Sequence, residues 1–158
     1  MRKVTKSLQR KLTPDRKYNS ILIQRLINKS MRDGKKQIAE NAVYEALDIA
    51  CKKLKSDNAA EVFEKAIKNV YPSVEVKSRR VGGANYQIPF PVQGHRQQHL
   101  AFMWFVQAAR ARKGMPYAER LAAEIVDANN QAGAAFKKKE DTHRMAEANR
   151  AFAHFARG

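Results

Sequence analysis

Apolar positions recur with helical spacing along most of this chain. Ile21, Leu22, Leu26, Ile27 and Met31 mark one face, with Arg25, Lys29 and Arg32 opposite. Asp33-Gly34 reads as the stop of that helix, because glycine readily takes the left-handed conformation past a C-terminus. The clearest helix spans Lys35 to Leu54, with a stripe of Ile38, Ala39, Ala42, Val43, Ala46, Leu47, Ala50 and Leu54. Ser56-Asp57-Asn58 offers a cap to a third helix whose face is Val62, Phe63, Ala66, Ile67 and Val70, closed by Pro72.

The period then changes from helical to alternating. Val74 and Val76 alternate with Ser73, Glu75 and Lys77; beyond Gly82-Gly83, Tyr86, Ile88 and Phe90 alternate with Gln87 and Pro89. Two alternating runs about a double glycine predict a β-hairpin over roughly 73–90, with Arg79 opposite Tyr86. A lone two-stranded sheet is marginal, so the hairpin is expected to project from a helical body. From His95 the helical pattern returns. Leu100 to Arg112 is apolar on nearly every side, as a central buried helix should be. Gly114 breaks it, Pro116 suits the first turn of the next helix, and Asn129 to Gly133 ends that one after Leu121, Ala122, Ile125 and Val126. The last segment is helical in propensity but polar around most of its girth, anchored by Phe152 and Phe155.

Charge gives this helical outline its meaning. The 158 residues hold 31 Lys and Arg against 15 Asp and Glu, a formal net charge of +16. A compact domain so charged repels itself until something anionic neutralises it. The usual partners of such a charge are nucleic acid or an acidic membrane, and no apolar run is long enough to span a bilayer. The N-terminus has no apolar core of a secretory signal, and the single cysteine, Cys51, suits a reducing compartment. Residues 1–17 carry seven basic residues and one acid, Asp15, and read as an extended arm that orders on a polyanion; residues 18–158 form one helical domain.

Catalytic signatures are missing from the sequence. There is no P-loop, no dinucleotide fingerprint, no nucleophile elbow and no Cys-x-x-Cys. His95 and His99 stand at a chelating spacing, but Gln97 and Gln98 fill the place where a metalloprotease needs its glutamate. No enzyme, cofactor or metal is therefore expected. The basic residues gather in patches: the arm, the Arg32/Lys35/Lys36 turn, the Arg79/Arg80 hairpin, the Arg110/Arg112/Lys113 helix end, and Lys137 to Arg150. Patches spread over one small chain favour a large folded RNA read by shape and backbone. The alternative is a DNA-binding or architectural regulator, with Asp33-Gly34 as the turn of a helix-turn-helix; Lys35-Lys36 there carries no base code.

Four stretches point further. DGKKQIAENAVYEAL (33–47), EVKSRRVGGANYQIP (75–89), AARARKGMPYAERLAAEIVDA (108–128) and KKEDTHRMAEANRAFAH (138–154) resemble, in order, bacterial and organellar ribosomal protein seven of the small subunit. The resemblance implies a mainly α fold: a bundle of about six helices with a protruding two-stranded hairpin and a basic N-terminal extension. It implies binding to the 3′ major domain of 16S rRNA, nucleation of the subunit head, and a place near exit-site tRNA and mRNA. Small-subunit proteins nine and eleven become expected neighbours, on a cytoplasmic or organellar ribosome. With the patches above, it assigns rRNA contact to Arg2, Lys3, Lys6, Arg10, Lys11, Arg32, Lys35, Lys36, Arg110, Arg112, Lys113 and Met115. Lys77, Arg79, Arg80, Gly82, Gly83 and Tyr86 would reach toward tRNA and mRNA, helped by Arg144 and Arg150.

Overall fold

A computed structural model describes residues 12–157, the last two by their backbone only. Six α-helices and a hairpin follow in the order α1 (Ile21–Ser30), α2 (Lys36–Leu54), α3 (Ala59–Val70), β1 (Val74–Val81), β2 (Ala84–Pro91), α4 (Gly94–Ala111), α5 (Tyr117–Asn129) and α6 (Gly133–Ala148). A 3₁₀ helix (Arg150–Arg157) closes the chain. The mainly helical architecture and its antiparallel hairpin are those expected, and Arg79 does pair with Tyr86. Among the described residues no helix is long and apolar enough to cross a membrane.

One core unites the helices. Ile23, Leu26 and Ile27 of α1, Val43 and Leu47 of α2, and Phe63 and Ile67 of α3 are fully buried with Phe105 of α4 and Leu121 and Ile125 of α5. Each such aliphatic or aromatic side chain contributes on the order of 2 kcal/mol relative to its exposed state. Phe63 meets Phe105 edge-on at 5.9 Å between centroids, locking α3 against α4. The Asn58 carboxamide caps α3 by accepting from the Ala60 and Glu61 amides.

Several local readings change. Helix α1 ends at Ser30, with Met31 as cap, so Asp33 and Gly34 lie in a separate turn, both with positive φ. Its buried face is Ile23, Leu26, Ile27 and Ser30; Ile21 is outside, because a core in contact with only one side of the helix selects one i, i+3, i+4, i+7 row. Ile38 is likewise not core: it is 67% exposed at the edge of a stripe whose buried members are Ala39, Val43, Ala46, Leu47 and Ala50. Pro116 caps α5 from just outside it. Gly133 opens α6, at φ +90, where a Cβ would stand 2.9 Å from Glu124 Oε1.

The arm differs too. Residues Arg2, Lys3, Lys6, Arg10 and Lys11 lie outside the described residues, but Asp15 to Lys17 belong to the folded body. Asp15 is only 3% exposed and accepts the amides of Lys17, Tyr18 and Ser20 at 3.1, 2.8 and 2.7 Å. Lys17 and the Tyr18 hydroxyl then grip Asp48 on α2, at 2.8 and 2.7 Å. The hairpin is also less free than a projection. Its base is held by Arg96 donating twice to Glu75, and its outer part lies against the C-terminal 3₁₀ helix.

Candidate nucleic-acid interface

The turn between α1 and α2 builds one wall of a cleft. Positive φ at Asp33 and Gly34 reverses the chain, and the Lys35 amide bonds to the Arg32 carbonyl at 2.9 Å. Arg32 and Lys35 are thereby presented together at the N-terminus of α2. The first turn of that helix contains no acid, and neither Lys35 nor any other side chain caps it. Cations beside the positive end of a helix dipole are unfavourable by some tenths of a kcal/mol, an arrangement that an external anion would reverse.

The facing wall comes from the end of α4 and the start of α5. Arg110 Nη2 donates to the Ser30 carbonyl at 3.2 Å, and Tyr117 donates its hydroxyl to Ser30 Oγ at 2.9 Å. Burial pushes the Tyr117 phenol above its usual range, so the hydroxyl stays protonated and remains a donor. Arg120 Nη1 donates to the carbonyls of Arg110 and Arg112, satisfying the end of α4. Its Nε is buried and has no hydrogen-bond partner among the described residues. The resulting cleft, of about 330 Å³, is lined by Ser30, Arg32, Lys35, Ile38, Ala39, Ala42, Arg110, Tyr117 and Arg120. Four cations line it beside Ile38, Ala39 and Ala42, with no carboxylate among the described lining residues.

This cleft collects Arg32, Lys35 and Arg110 of the anticipated residues. Lys36, Lys113 and Met115 are exposed and adjoin it in sequence, Met115 being 44% exposed. Arg112 goes elsewhere. Its Nε and Nη2 donate to Glu124 Oε2 at 3.0 and 2.7 Å, and Nη2 also meets Asp127. Glu124 is wholly buried, and its other oxygen accepts the Ala135 amide. Burial opposes the charge of Arg112, but the bonds to Asp127 and Glu124 outweigh it and hold the guanidinium firmly protonated. Arg112 therefore fastens α4 to α5 and α6. Sequence reasoning had missed Tyr117 and Arg120 as lining residues. Their spacing of three, just after Pro116, is the signal that could have found them.

The second group of anticipated residues is on the hairpin. Gly82 and Gly83, at φ +58 and +90, make its turn. Lys77 is held by Glu75 at 2.8 Å and sits over the Phe90 ring, so it serves the hairpin base. Arg79 donates to the Phe155 carbonyl at 2.9 Å, and Tyr86 lies 5.0 Å from the Phe152 ring and 5.6 Å from that of Phe155. Arg80 is exposed on the other face. Arg144 and Arg150 are exposed on α6 and at the start of the C-terminal 3₁₀ helix, each near one acid (Asp141 at 3.9 Å, Glu147 at 3.4 Å); such exposed pairs restrain little.

A third basic groove was not anticipated as a unit. Arg25, Asn28 and Lys29 of α1 face His95, Gln98 and His99 of α4. Burial, then Lys29 and Arg96, hold the His99 imidazole below its ordinary value. Neighbouring cations disfavour a metal ion there, and among the described residues no group of three His, Cys, Asp or Glu is arranged to hold one. Cys51 is half-buried; burial, then Asp48, push its thiol up, away from a reactive thiolate.

The model of the family described as ribosomal protein S7p/S5e matches residues 1–150. The chain is 55% identical to the small ribosomal subunit protein uS7 of Chloroflexus aggregans over 94% of both chains. It is 58% identical to that of Dictyoglomus turgidum over 92% of this chain and 93% of the other. The Thermotoga neapolitana protein of the same name is 56% identical, over 93% and 94%.

Proposed function

Because this chain belongs to the ribosomal protein S7p/S5e family, a family of structural proteins of the small ribosomal subunit, we propose that it works as an electrostatic clamp on the rRNA of the subunit head. Its target is the 3′ major domain of 16S rRNA, and binding there nucleates head assembly. The cleft between the α1–α2 turn and the α4–α5 junction is the main contact. It supports this reading because Arg32, Lys35, Arg110 and Arg120 converge on one concave surface with no carboxylate among the described residues that line it. A phosphate placed there meets several donors at once.

Around that contact the other basic elements bind in parallel. The arm, Arg2 to Lys11, and the exposed Lys36 and Lys113 reach flanking phosphates; Met115 adds an apolar contact. The hairpin points to exit-site tRNA and mRNA, with Arg144 and Arg150 alongside, and small-subunit proteins nine and eleven are its neighbours. The helical core keeps the spacing of these contacts fixed, so RNA segments that meet them are held in one relative orientation.

Filter binding to head-domain rRNA fragments against duplex DNA, across a salt titration, tests the proposal. The expected result is a preference for the rRNA and a steep loss of affinity with salt, on the order of 10³-fold or more between low and moderate salt if six or more phosphates are neutralised. Equal affinity for duplex DNA would instead make this chain a general polyanion binder.

A further inference from the structure

The two arginines of the hairpin tip are adjacent in sequence and so point to opposite faces. Pairing sorts the faces: Glu75, Lys77 and Arg79 share one with Phe90, Ile88 and Tyr86, while Ser78 and Arg80 share the other with Gln87 and Asn85. The first face is engaged by the rest of the molecule, although Lys77 and Arg79 keep exposed side chains. Ile88 and Glu75 are buried against the body, and Tyr86 is packed by Phe152 and Phe155 of the C-terminal 3₁₀ helix. The guanidinium of Arg79 is engaged by the Phe155 carbonyl. On the second face, Ser78, Arg80, Asn85 and Gln87 are all exposed, and Arg80 makes no hydrogen bond or ion pair among the described residues.

We propose that the hairpin has one RNA face, Ser78–Arg80–Asn85–Gln87, and that its Arg79–Tyr86 face is a socket for the chain's own C-terminal 3₁₀ helix. The inference rests on the reading that the hairpin reaches RNA and says which side does so. Charge selects the occupant. The exposed face Ser78, Arg80, Asn85 and Gln87 itself carries one cation and no acid, which suits a polyanion. Arg80 supplies a phosphate contact, and the carboxamides of Asn85 and Gln87 with the Ser78 hydroxyl supply donors and acceptors for 2′-hydroxyls or base edges of an unpaired strand. Arg79 is then a positioning residue: it and Tyr86 hold the C-terminal helix, which backs the strand pair and stiffens an otherwise marginal two-stranded element.

Small subunits reconstituted with full-length variants, first checked for incorporation by co-sedimentation, give the test. Release of deacylated tRNA from the exit site and crosslinking to mRNA are followed against salt. Arg80→Ala is expected to speed RNA release roughly three- to ten-fold and lower the log–log salt slope by about one. Arg79→Ala is expected to leave the salt slope unchanged while raising amide hydrogen exchange across Arg150–Arg157. The double variant Phe152→Ala/Phe155→Ala, which removes the rings packed on Tyr86 and leaves Arg79 in place, is expected to match Arg79→Ala in exchange and to keep RNA at least as long as the parent. If Arg79→Ala loosens RNA as much as Arg80→Ala, the face assignment is wrong and the hairpin reading stands. No effect of either arginine on tRNA or mRNA overturns both.

Discussion

Arg110 and Arg112 are two residues apart, yet the fold gives them opposite work. Arg110 lines the cleft and spends one bond on the Ser30 carbonyl. Arg112 neutralises Glu124, a carboxylate with no access to water. Removing the partner of a buried charge costs about 3–5 kcal/mol, whereas losing a half-exposed cation costs far less. Thermal melts should therefore show Arg112→Ala strongly destabilised and Arg110→Ala near the parent. In rRNA binding the order reverses: Arg110→Ala should lower the salt slope by about one with unchanged helicity. The sequence shows two basic residues at a helix end and nothing to separate them, because the discriminating group, Glu124, is contributed by another helix.

At the scale of the element, the hairpin was legible and its supports were not. Alternation and Gly82-Gly83 suffice for its strands and register, since both are local signals. What steadies it comes from far along the chain: Arg96 on Glu75, Phe152 and Phe155 on Tyr86, and His143 of α6 at the foot. His143 Nε2 accepts the Ser73 amide at 3.1 Å, which requires that nitrogen to be unprotonated. Burial, then Lys139, depress the imidazole below its ordinary 6.5. A depressed histidine stabilises the fold fully above the unfolded value, and that contribution is lost as pH falls through the folded one. As pH falls below the ordinary 6.5, the Ser73 amide should lose protection from exchange beyond the intrinsic pH effect, while amides in α2 should not. In His143→Phe that extra pH dependence should vanish; its survival would assign the effect to another group.

For the whole molecule, a charge of +16 sets the sign of the partner but not the place where it binds. The arm illustrates the difference. Composition alone extends it to Lys17, but Asp15 is buried among backbone amides and Lys17 is tied to Asp48. Deletion of residues 1–11 should flatten the salt dependence of rRNA binding and leave the melting temperature near that of the parent. Deletion of residues 1–17 should flatten it and also lower the melting temperature, because the four hydrogen bonds to the Asp15 carboxylate and the Lys17–Asp48 ion pair go with it. Equal melting of the two truncations would show the Asp15 turn to be dispensable.

The sequence by itself determined the helices, the hairpin and its register, the sign of the partner and, through four ordered motifs, the family. Each of these is written in short-range periodicity, composition or a local run of residues. Only the tertiary structure decided that Ile38 faces outward, that Arg120 joins Arg32, Lys35 and Arg110, that Arg112 turns inward, and that the C-terminal aromatics cover Tyr86. The physical reason is common to all four. Whether a side chain is a ligand contact or a structural tie depends on what lies within a few ångströms of it, and in this bundle those neighbours come from other helices and distant turns.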